Sequence, residues 1–470
     1  MINSKLITLL STFSTRELRE FKDFVASPFF NKNEELVRFY GYLKKWAPEF
    51  PPRKIDRHKV FTQLYPDQPF DEKQMNYLMS FLLKLAEQYL GQARYQKEES
   101  LRLCHTLASC AERNLSKHYD YLYRKTQSKL ETLPYRNSHF FYHKFLLSDI
   151  ADQYFQKQGI RRYDEHLQKA SDALDLFYLS TKLMYSCEML DRENIMSAQY
   201  HQPIIPYIAD YLQDPNFEAS PPIRAYHQIL LAFTTEAADY HFKQLKKQLL
   251  QHSDQLARTE LNRIYLHGIN FCIRKIQQGE AQYAEQALEL YIDGIEKKVL
   301  FKDGVLTPWT YKNVVKLSLS LRKFEFTENF VRAYSNHLEE GFRENALHYN
   351  LAELYYYRKQ YNEAMNHLNK VEFSDVSYNL GARKLLLKIY CDSNETEALH
   401  SQIAAFRIYL KRNKLIPSNV KAPYHNFVLL LGQLLRSKRD KRDKLREKIR
   451  TTRELTDRLW LLQKTEEATF

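Results

Sequence analysis

Apolar residues recur three and four positions apart along most of this chain, with polar residues between them. That is the pattern of helices burying one stripe each. In the first ninety residues the helix starts are sharply marked. Ser14 followed by Glu17 spells a capping box, with Phe13 and Leu18 at the staple positions around it. Leu18, Phe21 and Val25 then share a face until Ser27-Pro28, because a residue before proline avoids the α region. A second helix from about Asn33 carries Leu36, Phe39, Tyr40 and Leu43 and stops before Pro48, and the segment from Pro48 to Pro52 is a stiff connector. Asp56 caps a short helix bearing Val60, Phe61 and Leu64. Asp71 and Gln74 spell another capping box, with Phe70 and Met75 as its staple, before a helix that buries Leu78, Leu82, Leu85 and Tyr89. Four helices are therefore predicted here.

From about 96 to 215 the pattern stays helical, with long segments predicted at 139–158 and 162–192, the second carrying Leu167, Leu174, Phe177, Tyr178 and Leu190. The stretch 214–222, rich in proline and polar residues, reads as a linker. Beyond it a repeat emerges. Leu317, Leu351 and Leu385 stand 34 and 34 residues apart, accompanied by Leu321, Tyr355 and Ile389 and by Phe330, Ala364 and Ala398. That period belongs to paired helices. The middle unit, Leu351 to Leu368, resembles a tetratricopeptide repeat. Leu351, Ala352, Tyr355, Tyr361, Ala364 and Leu368 supply its apolar, small, aromatic, aromatic, small and large positions. Small residues let the two helices approach closely. The flanking units depart from the pattern at Phe330, bulky where a small residue is expected, and at Gln402, polar where a large apolar one is expected. Weaker helix pairs run from about 223 to 300. The whole chain also resembles a group of bacterial helical-repeat proteins without an assigned activity.

The expected fold is all-α, an α-solenoid of antiparallel helix pairs behind an N-terminal helical domain. Its parts are 1–95 (N-terminal domain), 96–215 (irregular helix pairs), 223–415 (tetratricopeptide-like repeats) and 416–470 (capping helices with a basic segment). Composition agrees. Only 10 glycines and 15 prolines occur in 470 residues, against a usual glycine share of roughly 7%. A collagen-like or many-stranded chain needs more. A hydrophobic fraction of 44% excludes global disorder. Cys104, Cys110, Cys187, Cys272 and Cys391 are odd in number and lie in apolar helical stretches, as expected of reduced thiols in the cytoplasm. The first eighteen residues lack a long apolar run and a small-residue cleavage site. The apolar run from Phe427 to Leu435 is also far short of the roughly 20 residues a spanning helix needs. The expectation is a cytoplasmic protein without a membrane segment.

Catalytic and metal signatures are weak. His139 and His143 lie four apart, but a zinc-protease H-E-x-x-H helix needs glutamate at 140, where Phe140 stands. Cys104, His105, Cys110 and His118 lack the close cysteine pairs of structural zinc. No phosphate-cradling glycine loop and no G-x-S-x-G motif occurs. The expectation is no enzyme, no cofactor and no metal.

The resemblance instead implies a binding groove lined by the first helix of each repeat. Carried across by register, its positions are Lys312, Leu319, Arg322 and Lys323, then Tyr349, Glu353, Tyr356 and Tyr357, then Arg383, Leu387 and Tyr390. Tyrosine offers large contact area at low entropy cost. Tyrosines with basic residues at the ends suit a peptide or helix with acidic character. The two-carboxylate clamp of that family is absent, its positions reading Val315, Tyr349 and Arg383. The alternative occupant is a neighbouring helix of the chain itself. Net charge is +13, and +7 of it falls between Arg436 and Arg453. Arg436, Lys438, Arg439, Lys441 and Arg442 could meet phosphates. Yet Arg436, Asp440 and Lys444 alternate in sign at helical spacing, and Leu445, Ile449, Leu455, Leu459 and Leu462 form a stripe that could cap an array. The leading expectation is a scaffold or adaptor binding an unidentified protein or peptide; the alternative is a regulator contacting nucleic acid through the basic segment, with the repeats as sensor.

Overall fold

The computed structural model describes residues 1–159, 162–195, 199–212, 220–371, 376–413, 416–437 and 442–467. Among them the chain forms twenty-three α-helices and one two-stranded hairpin. It divides into two compact units, Met1–Tyr178 and Leu179–Phe470.

The first unit begins with α1 (Lys5–Leu10), α2 (Thr15–Ala26), α3 (Glu34–Lys44), α4 (Arg57–Leu64) and α5 (Glu72–Lys97). The helix starts follow the sequence closely. Ser14 and Glu17 complete the reciprocal capping box of α2, and Asn33 and Asp56 cap α3 and α4. At α5 Asp71 accepts from the Lys73 and Gln74 backbone without a return bond, so this is a one-sided cap. Helix α1 was not legible from periodicity, being a single turn and a half long; Leu6, Ile7 and Leu10 bury it. The apolar residues of all five helices meet in one cluster, in which Phe21, Phe39, Leu43, Met75, Leu78 and Leu82 are fully buried. Each such side chain contributes roughly 1.5–3 kcal/mol through the area it removes from water. Phe50, in the proline-rich connector, is also buried there, so the connector is anchored as well as stiff. Next come α6 (Glu99–Glu112), α7 (Ser116–Glu131) and α8 (Ser138–Lys157), which pack together over Cys104, Leu107, Phe140, Phe141 and Leu147. Helix α9 (His166–Ile195) runs across the division between the units.

The second unit continues with α10 (Ile205–Tyr211), α11 (Pro221–Thr234), α12 (Ala238–Gln251), α13 (Arg258–Gln277) and α14 (Tyr283–Glu296). Strands β1 (Phe301–Lys302) and β2 (Val305–Leu306) pair across Asp303-Gly304, both at positive φ. This hairpin was not expected, and the Asp-Gly dipeptide is its signal. Then follow α15 (Pro308–Ser320), α16 (Phe324–Tyr334), α17 (Arg343–Tyr357), α18 (Tyr361–Leu368), α19 (Val376–Asp392) and α20 (Thr396–Arg412). The last helices are α21 (Ser418–Leu434), α22 (Arg442–Thr451) and α23 (Arg458–Glu466).

Helices α15 with α16, α17 with α18, and α19 with α20 are hairpins, and α17 also touches α15 and α19. Each hairpin turns through one residue at positive φ: Arg322, Lys359 and Asn394. The residue after each returns its N–H to a carbonyl five residues earlier: Lys323 to Ser318, Gln360 to Tyr355 and Glu395 to Tyr390. These are Schellman closures, which satisfy the carbonyls a helix end leaves open. The three turns stand 37 and 35 residues apart, not 34. Two short 3₁₀ turns at Ser335–His337 and Glu340–Phe342 lengthen the first connection. Leu317 therefore lies nearer its turn than Leu351 or Leu385 does, and the 34-residue register slips. Within the middle hairpin Leu351, Ala352, Ala364 and Leu368 are all buried, as the repeat pattern requires. The linker expected at 214–222 lies mostly outside the described residues.

Candidate functional site

Helices α17 and α19 lie side by side because Gly381 admits the ring of Tyr349. A Cβ on Gly381 would stand 2.9 Å from the Tyr349 ring. Tyr349 is buried and donates its hydroxyl to Glu353 Oε1 at 2.7 Å. Along this face α19 presents Lys384 and Lys388, one turn apart, and Asp457, just ahead of α23, sits between them. Lys388 Nζ is 2.8 Å from Asp457 Oδ1, and Lys384 pairs with Oδ2. Asp457 itself is in the left-handed region at φ 49, a conformation aspartate tolerates better than most residues. A second junction binds the far end of α23. Lys464 Nζ meets Asp392 Oδ1 at 2.7 Å, and Asp392 also accepts the Tyr356 hydroxyl. Between the two junctions Lys388 lies over the rings of Tyr356 and Trp460, 4.8 and 5.6 Å from their centroids. Such contacts strengthen as water is excluded.

The electrostatics follow from this geometry. Burial alone would push the Asp457 carboxyl up, but the charges and hydrogen bonds of Lys384 and Lys388 outweigh it and hold it well below the usual carboxylate range. Lys384 shifts the opposite way, upward, because Asp457 and Glu353 outweigh its burial. The hydroxyls of Tyr349 and Tyr356 are pushed far up by burial and by their carboxylate partners, so both are firm donors. Glu353 Oε2 is buried without a hydrogen-bond partner. A cavity of about 300 Å³ beside it is lined by Lys316, Lys384 and Thr456. A second cavity, about 650 Å³, runs along α23 between Tyr357, Lys388, Asp392 and Trp460. The arrangement offers fixed opposite charges, neutral donors and aromatic faces, the means of docking a polar, partly aromatic surface.

Of the residues expected to line a groove, Tyr349, Glu353, Tyr356 and Tyr357 come together here. Leu387 is buried in the apolar cluster of α19 to α23, and Tyr390 packs against that cluster. Leu319 reaches the same place from α15, lining the cavity beside Glu353, Tyr356 and Tyr357. Arg383 turns away from this face: its guanidinium stacks on Tyr409 at 4.4 Å and bonds Asn379. Arg322 occupies the turn after α15, Lys323 pairs with Glu285, and Lys312 stays on α15. These displacements follow from the register slip. Sequence reasoning missed Lys384, Lys388, Asp392, Asp457, Trp460 and Lys464. A signal existed: two lysines four apart inside the apolar run of α19 need a buried acid. In the basic segment Lys438, Arg439 and Lys441 lie outside the described residues. Arg436 and Arg442 bond backbone carbonyls of Gly432 and Glu467. Leu445 and Ile449 are buried as the stripe predicts, but Leu459 is 82% exposed and Leu461 is buried in its place.

A further cavity, about 780 Å³, lies between α2 and α5, but two of its three carboxylates, Glu17 and Glu20, are engaged by Ser14, Arg16 and Tyr89. Among the described residues no helix is long and apolar enough to cross a membrane. Comparison of the chain with protein families, curated proteins and solved structures gives no significant match.

Proposed function

We propose that this protein is a non-enzymatic scaffold, a tetratricopeptide-like array of helix pairs that captures a helix of a partner protein on the face of α17 and α19. One observation carries the reading. That face already holds a helix, α23, by an aspartate at its start, a lysine near its end and a tryptophan between them. Helix α23 then acts as an internal ligand, and the partner is an acidic amphipathic helix that takes its place. The unpaired Glu353 oxygen and the adjoining cavities supply further contacts for a donor-bearing side chain. Five unpaired cysteines, four of them buried, favour a reducing compartment such as the cytoplasm.

The test compares three full-length chains as baits in lysate of the native cell: the wild type, Asp457→Ala to free the face, and Lys384→Met with Lys388→Met to remove its charge. A discrete protein retained through nuclease and raised salt, enriched by the first variant and lost with the second, is the expected result. Equal capture by all three folded chains would overturn it. Recovery that vanishes with nuclease, or falls steeply between about 50 and 200 mM salt, would transfer the function to nucleic-acid binding.

A further inference from the structure

Two histidines one turn apart stand at the start of α8, and the junction of α5 with α6 brings a carboxylate to them. His139 and His143 have the four-residue spacing that places two side chains on one helix face, and their ring centroids are 4.2 Å apart. Glu98 lies between α5 and α6 and makes no side-chain capping bond to α6. Its Oε2 is 3.0 Å from His139 Nε2, and its Oε1 is held by Arg94 at 3.2 Å. One donor atom from each of the three residues lies within 4.8 Å of the other two. His143 is only 1% exposed, and its Nδ1 is 2.8 Å from the His139 carbonyl oxygen. Donating that hydrogen fixes the tautomer with a lone pair on Nε2, the orientation that outer hydrogen bonds give metal-bound histidines.

We propose that Glu98, His139 and His143 form a zinc site tying the α5–α6 junction to the first turns of α8. The sequence gives the histidine pair no third donor, since Phe140 stands where a zinc-protease helix has glutamate. The fold provides one from 41 residues earlier. Two imidazoles and one carboxylate suit zinc rather than magnesium or calcium, which prefer all-oxygen sets. Zinc bonds of about 2.0–2.2 Å set tetrahedral donor separations near 3.4 Å. His143 is held in place, so His139 and Glu98 must close on it from separations of up to 4.8 Å, a movement of at most about 1.4 Å that their partial exposure permits. Three protein donors leave a fourth position for water, the composition of an open rather than a sealed zinc site. Arg94 keeps its grip on the other Glu98 oxygen and orients the carboxylate.

The test uses the full-length chain, stripped with a chelator and titrated with Zn²⁺ against a chromophoric competitor, then with Co²⁺ to read coordination from its visible spectrum. The wild type is expected to take up one tight equivalent and to give a four-coordinate cobalt spectrum. Glu98→Gln and His139→Asn are both partly exposed positions, where folding should survive and circular dichroism can verify it. Each should weaken zinc by about tenfold or more and abolish that spectrum. Zinc uptake unchanged in both variants would place the ion on other histidines of the sixteen and overturn the proposal. No saturable uptake by the wild type would reduce Glu98 and His139 to an ion pair, with the same consequence.

Discussion

The α1–α5 cluster of the first unit and the α17–α19–α23 face of the second both bury helix against helix, by opposite means. In the first, Phe21, Phe39, Met75, Leu78 and Leu82 are packed with scarcely a polar atom among them, and Tyr40 spends its hydroxyl on the Leu18 carbonyl. In the second, Asp457, Lys384, Lys388, Asp392 and Lys464 carry opposite charges into the contact. Apolar burial is non-directional and scales with area. A buried ion pair gives little net stability over an apolar substitute, yet removing one partner is costly because the other charge stays buried. The apolar cluster should therefore fail by cavities and the charged face by single charges.

Two truncations make the sharpest contrast. Phe21→Ala should cost about 3–5 kcal/mol, read as a loss of stability of the first unit in denaturant. Asp457→Ala should cost a similar amount, about 3–5 kcal/mol, but locally. It would loosen α23 from α19 while Leu461 still holds it to α21 and α22, visible as faster amide exchange over 458–466, while the exchange of α2 and α5 stays slow. Global unfolding in the second variant would break the comparison.

Acid separates the two regions further. The Asp457 carboxyl is lower when folded than when unfolded, so its contribution is complete above the ordinary aspartate value of about 3.9 and fades as pH falls through the depressed one. Lys384 and Lys464 are raised when folded, so theirs is complete below about 10.4 and lost at higher pH. Docking of α23 should be flat between these limits and fail outside them. Fluorescence of Trp460, with Trp46→Phe and Trp309→Phe in place, would follow it. Replacing Asp457, Lys384 and Lys388 together by Leu, Met and Leu should keep the helix docked and remove the acid edge contributed by Asp457. An acid edge that stays in place would assign it to another group.

Gly381→Ala addresses the approach of α17 to α19 directly. Its Cβ must displace the Tyr349 ring, which is buried on all sides, so a loss of about 1–3 kcal/mol is expected. The melting temperature of the second unit would report it. No loss would mean that Tyr349 yields and that the charges alone set the spacing.

The two regions also differ in how far the chain discloses them. Phe21, Leu36 and Leu82 are legible because an apolar stripe repeats locally, and Ser14 with Glu17 because a cap is made within four residues. Asp457 is not, since its partners lie 69 and 73 residues earlier, on another helix. The 34-residue spacing misled for a related reason. Sequence period and structural period coincide only when every connection has the same length, and the connection after α16 does not. Tyr349, Glu353 and Tyr356 were nevertheless reached, because they share one helix with the best repeat unit. Arg383 was lost because its axial position was carried across correctly enough to reach α19, but its direction around the helix was not. Glu98, His139 and His143 show the same limit: spacing finds the pair, and only the fold finds the third.

The smallest contrast removes one oxygen from each region. Tyr40→Phe takes a hydroxyl from a backbone carbonyl inside the apolar cluster, which should cost about 0.5–1.5 kcal/mol. Tyr349→Phe takes the only hydrogen bond found for the Glu353 carboxylate among the described residues, whose other oxygen is already buried and unpaired. Leaving a charged group unsatisfied is dearer than losing a neutral bond, so this loss should reach about 1.5–3 kcal/mol. The ratio is the informative quantity, because both substitutions delete the same atom from the same residue type at nearly equal burial. Adding Glu353→Gln to Tyr349→Phe should then recover part of the loss, since an amide is cheaper to bury than a carboxylate. Equal costs at Tyr40 and Tyr349, measured by urea denaturation of the matched variants, would mean that Lys384 alone satisfies Glu353 and that the charged face is as forgiving as the apolar one.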